Sequence, residues 1–323
     1  MQAYVCRRYG GPEVVELGNV PTPEPKDNEV RIRIHATTVT AGDWRVRTLT
    51  MPRGFRLVAR LALGLRGPRQ PILGTELAGV IESTGMKVTR WKSGDAVFAF
   101  PGAKMGCHAQ YRVLPEDGPL AIKPEHLSFE EAAALPFGAS TALHYLGQAK
   151  IKIREKVLVV GASGNVGCAL VQLARHFGAE VTGVTSTGNL ELVASLGAHR
   201  VIDYTRQQYC VGGETYDVIA DTVGAASFGR YRHALNDQGR LLSIAGGLGD
   251  MLASVWTRMA SRRRVIAGPA EERPESVGTI AEMANGGTLK PVIDRRYDFT
   301  QMAEAHRYVA TGRKRGSVVV VIN

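Results

Sequence analysis

Residues 157–167, VLVVGASGNVG, hold the spacing richest in chemistry. The apolar run 157–160 predicts a short buried strand. Gly161, Gly164 and Gly167 then turn the chain into a helix predicted over about 168–177, with Ala162, Ser163, Asn165 and Val166 between the glycines. Strand, glycine turn and helix start together build a pyrophosphate site. Residues without Cβ let the backbone approach the ligand, and the helix N-terminus presents unpaired N–H groups and a partial positive charge. Structural glycines in a non-binding α/β domain are the alternative.

The elements that follow weigh against that alternative. Leu170, Val171, Leu173, Ala174 and Phe177 recur at a helical period, and Gly178 ends the helix. EVTGVTS predicts a second strand, about 189–196 a second helix, and HRVIDY, TYDVIADTVG and GRLLSIAGG three more strands. Strands alternating with helices predict a doubly wound parallel sheet that binds a dinucleotide. An acidic residue closing the second strand would hold the ribose hydroxyls of NAD. Thr185, Ser186, Thr187, Gly188 and Asn189 stand there instead, with no carboxylate until Glu191. Hydroxyls without a carboxylate favour a 2′-phosphate, hence NADPH. No Arg or Lys stands within this turn, and the same residues could cap the next helix.

At 323 residues the chain suits two domains. Its formal charge of +10 is spread out, apart from Arg262-Arg263-Arg264 and Arg313-Lys314-Arg315. No aromatic-basic signature accompanies these runs, so no nucleic-acid partner is expected. Cys6, Cys107, Cys168 and Cys210 make neither a CxxC pair nor a secreted framework. The long uncharged run 157–174 is broken by its glycine turn, so no membrane span is expected. The N-terminus has no apolar signal core, and a cytoplasmic location is expected.

The first 120 residues alternate short β-rich runs with turns and show few helices. RGFRLVARLALGLRGPRQ interrupts them with apolar residues at helical spacing and Arg between. Two readings fit it: a membrane-surface helix, or a flap beside the active site, which is preferred because one short basic helix binds membrane weakly. The tail returns to β texture, with KPVIDRRYDF, a helix around 301–311 and GSVVVVIN. One domain therefore interrupts another, with the cofactor expected in the cleft between them.

These segments together resemble the medium-chain dehydrogenase/reductase superfamily, in its zinc-independent quinone oxidoreductase-like branch. The resemblance rests on PILGTELAGVIESTG (71–85), GDAVFAF (94–100), AAALPFGASTALHYL (132–146), VLVVGASGNVGCALVQLARHFGAEV (157–181), SLGAHRVIDY (195–204) and RGSVVVVI (315–322). It implies an α/β two-domain fold, a Rossmann sheet inserted in a GroES-like, mainly β catalytic domain. The boundaries expected are 1–125 catalytic, 126–266 NADP(H)-binding and 267–323 returning to the catalytic domain. It also implies a homodimer and NADPH-dependent reduction of a quinone or α,β-unsaturated carbonyl (enone).

Site roles follow from the same resemblance. Zinc-dependent relatives carry a Cys where Thr40 stands, a His where Thr75 stands in Gly74-Thr75-Glu76, and a third ligand near Phe137. Zinc needs several N or S ligands, and Cys107-His108 is an isolated pair, so no metal is expected. Thr141 is implied near the nicotinamide. Asp221, Thr222, Val223, Gly224, Gly246 and Gly247 are implied to line that side, and Tyr204 and Arg315 the 2′-phosphate, although strand capping and a solvated tail charge explain the last two equally. Thr40 replaces a residue that is often Asn, and Thr40 and Asp43 are the catalytic candidates, Asp43 more as a loop-ordering residue. Tyr111 and His108 are possible proton donors, and Trp44 with the 51–70 insertion is expected to shape the acceptor pocket. The rival functions are a reductase of a specific enoyl or ketone metabolite, and an NADPH-binding sensor or assembly protein without turnover.

Overall fold

The computed structural model describes residues 1–51, 54–211 and 213–322. Two units divide it: Met1–Met51, Arg56–Phe137 and Glu272–Asn323 form one, and Pro52–Phe55 with Gly138–Glu271 the other.

The first unit is mainly β. β1 (Gln2–Cys6) and β2 (Val15–Asn19) form an antiparallel pair. β3 (Glu29–Val39) alternates buried and open positions along VRIRI, as a half-buried strand must. Its length lets it serve two neighbours on one edge. α1 (Ala41–Thr48) follows, closed at its start by a reciprocal cap in which Thr40 accepts from the Asp43 N–H and Asp43 from the Thr40 N–H. This helix corrects the expectation of few helices; the T-x-x-D spacing was its only sequence signal. α2 (Arg56–Leu63) realises the helix expected in the insertion, with Leu57, Val58 and Leu61 exposed. Pro52 and Arg53 of that segment lie outside the described residues. β4 (Leu77–Thr84), β5 (Ala96–Ala99), β6 (Tyr111–Pro115), β7 (Leu120–Ile122) and α3 (Phe129–Ala133) complete the N-terminal part.

α4 (Pro136–Ala149) begins in the first unit with Pro136 and Phe137 and continues into the second from Gly138. β8 (Lys156–Val160), α5 (Asn165–His176), β9 (Glu180–Thr185), α6 (Leu190–Ser195), β10 (Arg200–Asp203), β11 (Tyr216–Asp221), α7 (Phe228–Tyr231), β12 (Leu235–Ser243), α8 (Leu248–Ala260) and β13 (Arg264–Ala267) follow. The six strands run parallel in the order β10-β9-β8-β11-β12-β13. This order is doubly wound from the central β8, and it places the turn after β8 where the winding reverses. Five strands were expected; β13 was missed because its four residues abut the Arg262-Arg263-Arg264 cluster. α5 starts at Asn165 rather than 168, with Gly164 as its cap residue.

The chain then returns to the first unit with α9 (Glu275–Asn285), β14 (Ile293–Asp298), α10 (Met302–Ala310) and β15 (Ser317–Val321). β15 pairs antiparallel with β3 over 36–39, while β6 takes the other half of β3, giving the order β14-β15-β3-β4-β5-β7 with β6 attached to β3. Trp44 packs against the core formed by Tyr4, Leu73, Met302 and Val318 rather than standing free.

Candidate functional site

The glycine turn after β8 separates into residues the fold requires and one it does not. Gly161 has φ +78°, and a Cβ there would lie 2.5 Å from Thr222 Oγ1 and 2.7 Å from Val223 Cγ1. At Gly167, in the first turn of α5, a Cβ would lie 2.1 Å from the Gly161 carbonyl, so helix and strand approach closely only without it. Gly164 is different. Its φ is −75°, and a Cβ would meet nothing nearer than the Gly161 carbonyl at 3.5 Å. The protein leaves that space open in front of the N-terminus of α5, where a pyrophosphate would be held by backbone N–H groups. The residues therefore fit a dinucleotide. Ala162 is buried, while Ser163, Asn165 and Val166 are half-buried around the turn.

Hydrogen bonds tie this turn to the end of β9. Thr185 Oγ1 donates to Ser163 Oγ at 2.9 Å, and Asn189 Nδ2 donates to Ser163 Oγ at 3.2 Å and to Ser186 Oγ at 3.0 Å. One expectation is corrected here: the end of β9 does have a carboxylate beside it. Asp203 is the register partner of Thr185, and it accepts from Thr187 Oγ1 at 2.5 Å and from Thr205 Oγ1 at 2.7 Å. The bonds from Thr187 and Thr205 hold its carboxyl below the usual range, so it is ionised. The same register brings in a cation: Arg206 Nε lies 3.6 Å from Asp203 Oδ2, with its side chain largely exposed. Neither residue lies within 185–189, so sequence proximity missed both.

The other predicted residues lie as follows. Thr222 Oγ1 donates to the Val160 carbonyl at 2.9 Å, fastening the β11 turn to the glycine turn, and Val223 beside it is exposed. Asp221 is buried and accepts from the N–H groups of Val223 and Gly224 and from Tyr231 Oη. Gly246 follows β12, where a Cβ would meet Ser243 Oγ at 2.2 Å. Tyr204 is exposed, and its N–H donates to the Thr185 carbonyl at 3.0 Å. Thr141 is half-buried in α4. Arg315 belongs to the first unit, where its N–H donates to Asp294 Oδ2 at 2.9 Å and its side chain is exposed.

The first unit buries a polar cluster around Thr40. The Asp43 carboxylate takes the Thr40 N–H at 2.7 Å, the Thr40 hydroxyl at 2.6 Å and the Gly74 N–H at 2.8 Å. Both side chains are buried, so Asp43 orders the loop with its acceptor capacity spent on the chain itself. His108 contacts the Thr38 carbonyl through Nε2 at 3.0 Å and is buried. Tyr111 is half-buried, with the Arg31 guanidinium over its ring. Sequence reasoning passed over Glu76. It is fully buried, bonded to the Thr38 hydroxyl, and accepts the Phe137 N–H at 2.6 Å. Burial pushes its carboxyl up to about 8, against the lowering effect of those bonds.

This cluster also answers whether zinc fits. Thr40 and Thr75 hydroxyls lie 3.5 Å apart, and a Cβ on Gly42 would sit 3.3 Å from Thr40 Oγ1 and 3.5 Å from the Phe137 ring. The three ligand positions named by resemblance thus converge, but as two hydroxyls and a phenyl ring. That donor set does not suit zinc, which takes thiolate, imidazole and carboxylate. Among the described residues no group of three or more His, Cys, Asp or Glu could hold a metal ion.

Comparison with known proteins agrees with this geometry. Residues 26–125 match the family model of the alcohol dehydrogenase GroES-like domain, and residues 196–320 that of the zinc-binding dehydrogenase. The chain is 32% identical to the 2-methylene-furan-3-one reductase of Solanum lycopersicum over 99% of its own length and 79% of that protein. It is 31% identical to the quinone oxidoreductase of Homo sapiens, covering 97% of this chain and 94% of that one. The chain belongs to the medium-chain dehydrogenase/reductase superfamily. Within that superfamily it falls in the zinc-independent, quinone oxidoreductase-like branch, and it is an oxidoreductase that uses a nicotinamide dinucleotide. The quinone oxidoreductase structure from Coxiella burnetii superposes with a TM-score of 0.86 at 27% identity, over 100% of this chain and 99% of that one. No helix among the described residues is long and apolar enough to cross a membrane.

Proposed function

We propose that this oxidoreductase reduces a quinone or an enone with NADPH. The observation that carries the reading is the pairing of an open glycine turn with a catalytic unit whose ligand positions hold Thr40, Thr75 and Phe137. With no donor set for a Lewis acid, the acceptor must itself be electrophilic, as quinones and enones are. When bound, the nicotinamide supplies the hydride. The chain's part is to grip and orient. The N–H groups at the start of α5 hold the pyrophosphate, and Thr222 and Asp221 fix the turns on either side of β8 and β11. Thr40 and Asp43 serve as the frame of the catalytic loop, since the Thr40 hydroxyl proton is already given to Asp43.

The preference for NADPH over NADH rests on the Ser186 hydroxyl together with Arg206, while Thr185 and Thr187, whose hydroxyls donate to Ser163 and Asp203, shape the turn around them. The Asp203 charge opposes a 2′-phosphate, but Thr187, Thr205 and Arg206 already engage it. Tyr204 flanks the same turn and is retained as a ribose-side contact; Thr141, Val223, Gly246 and Arg315 are retained as further coenzyme contacts. A homodimer is proposed on the family resemblance, and light scattering of the full chain reads it.

The test is oxidation of NADPH by chelator-treated protein with a panel of quinones and enones, NADH serving as comparator. Chelator-insensitive turnover confined to NADPH is expected. Tight NADPH binding with no turnover on any acceptor would favour the binding-protein reading instead.

A further inference from the structure

The dinucleotide-binding unit has a concavity of about 600 Å³ away from the glycine turn. Its wall comes from the end of α4, the 150–152 loop leading into β8, Arg240 of β12, the end of α8, and β13. Its cationic residues Lys150, Lys152 and Arg264 lie at the amino ends of β8 and β13, whereas the glycine turn follows the carboxyl end of β8.

Five cationic side chains line it: Lys150, Lys152, Arg240, Arg258 and Arg264. One carboxylate answers them among the described residues, Glu155, whose Oε2 lies 2.6 Å from Arg240 Nη2. Two features distinguish the pocket from a merely basic surface. Arg240 and Arg264 are register partners on adjacent strands, so their side chains leave the sheet on one face with backbones only ~5 Å apart. Like charges placed opposite each other repel. In addition, the Arg240 side chain is only 15% exposed, and its Nε is buried without an acceptor. A buried donor left unpaired is costly and calls for a partner. Arg264 Nη1 donates to the Arg258 carbonyl at 3.0 Å, holding the end of α8 against β13 beside the pocket.

Excess positive charge, with two arginines in register on adjacent strands, has one common remedy, an anion with several charged oxygens. Arginine forks match phosphate oxygens in geometry as well as charge. We propose that this pocket binds an oligophosphate, either a free inorganic chain or the triphosphate of a nucleotide, at the end of the sheet opposite the coenzyme turn.

The test is calorimetric titration of the full chain with inorganic tripolyphosphate, at constant ionic strength and with NADPH saturating. Binding of one equivalent is expected. Arg258→Ala combined with Lys152→Ala, both exposed positions, should weaken it at least tenfold and leave NADPH affinity unchanged; Lys150→Glu should weaken it in the same direction. Displacement of tripolyphosphate by NADPH would assign the ion to the glycine turn and overturn the proposal. Unchanged affinity in the double variant, or an equal response to sulfate, would also overturn it. NADPH binding is measured alone in each protein, so a failure of the coenzyme reading is seen separately. ATP binding more tightly than tripolyphosphate would support a nucleotide as the ligand, and equal or weaker binding a free chain.

Discussion

Glu76 gives the sharpest prediction, because its carboxyl is fully buried and its proton affinity is tied to folding. In the unfolded chain it titrates near 4.5, and in the folded protein near 8. A raised carboxyl means that the folded state holds a proton the unfolded state has lost. The stabilisation linked to that proton is complete below pH 4.5, declines as pH rises, and is gone above about 8. At about 1.36 kcal/mol per unit the whole span is worth roughly 5 kcal/mol, a large part of the 5–15 kcal/mol that holds a typical domain. Glu76→Gln imitates the protonated form. Its amide oxygen can still accept the Phe137 N–H, and its NH2 can donate to the Thr38 hydroxyl. The wild type should therefore lose stability steeply between pH 5 and 8, and the variant should lack that slope. Urea unfolding of a Trp256→Phe background would measure it, since Trp44 and Trp91 then report on the unit containing Glu76. Infrared spectra should show a protonated carboxyl disappearing with a midpoint near pH 8, absent in the variant. Parallel pH slopes in the two proteins would refute the argument.

Three further outcomes are expected. Gly164→Val should abolish dinucleotide binding while preserving the circular dichroism and melting temperature, whereas Gly161→Ala should lower the melting temperature even without ligand; the reverse pattern would contradict the assignment of the turn. Ser186→Asp, and separately Arg206→Ala, should each weaken NADPH about tenfold, or ~1.4 kcal/mol, and leave NADH nearly unaffected, as read by fluorescence titration. Asp43→Ala strips acceptors from the buried Thr40 and Gly74 N–H groups and should cost about 3 kcal/mol in chemical denaturation, more than a surface carboxylate would.

What the sequence revealed and what it hid divide along a physical line. The glycine turn was legible because its residues are contiguous and its chemistry is local. The hydroxyl run at 185–189 was legible for the same reason. Asp203 and Arg206 were not, because parallel pairing of β10 with β9 places Asp203 opposite Thr185, 18 positions away along the chain, and Arg206 joins it there through their ion pair. Glu76 was visible only as the third residue of a triplet; its perturbation comes from burial under Thr38 and the Phe137 backbone, which no spacing encodes. α1 hid behind a β-rich texture, since AGDWRVRT has little amphipathic pattern and its start depends on one cap. β13 is too short to announce itself beside three arginines.

The contrast among the turn glycines has an evolutionary corollary. Gly161 and Gly167 are enforced by the chain's own atoms, so any descendant that folds must keep them or rebuild the strand–helix junction. Gly164 is not enforced by the chain's own atoms, and on the proposed function only the ligand constrains it. A lineage relieved of coenzyme use could drift at that position first and stay well folded, producing a silent paralogue whose loss of redox activity is written in a single codon. Relatives carrying a bulky residue at that one site, with the other two glycines intact, would be the places to look for members of this superfamily that have become scaffolds.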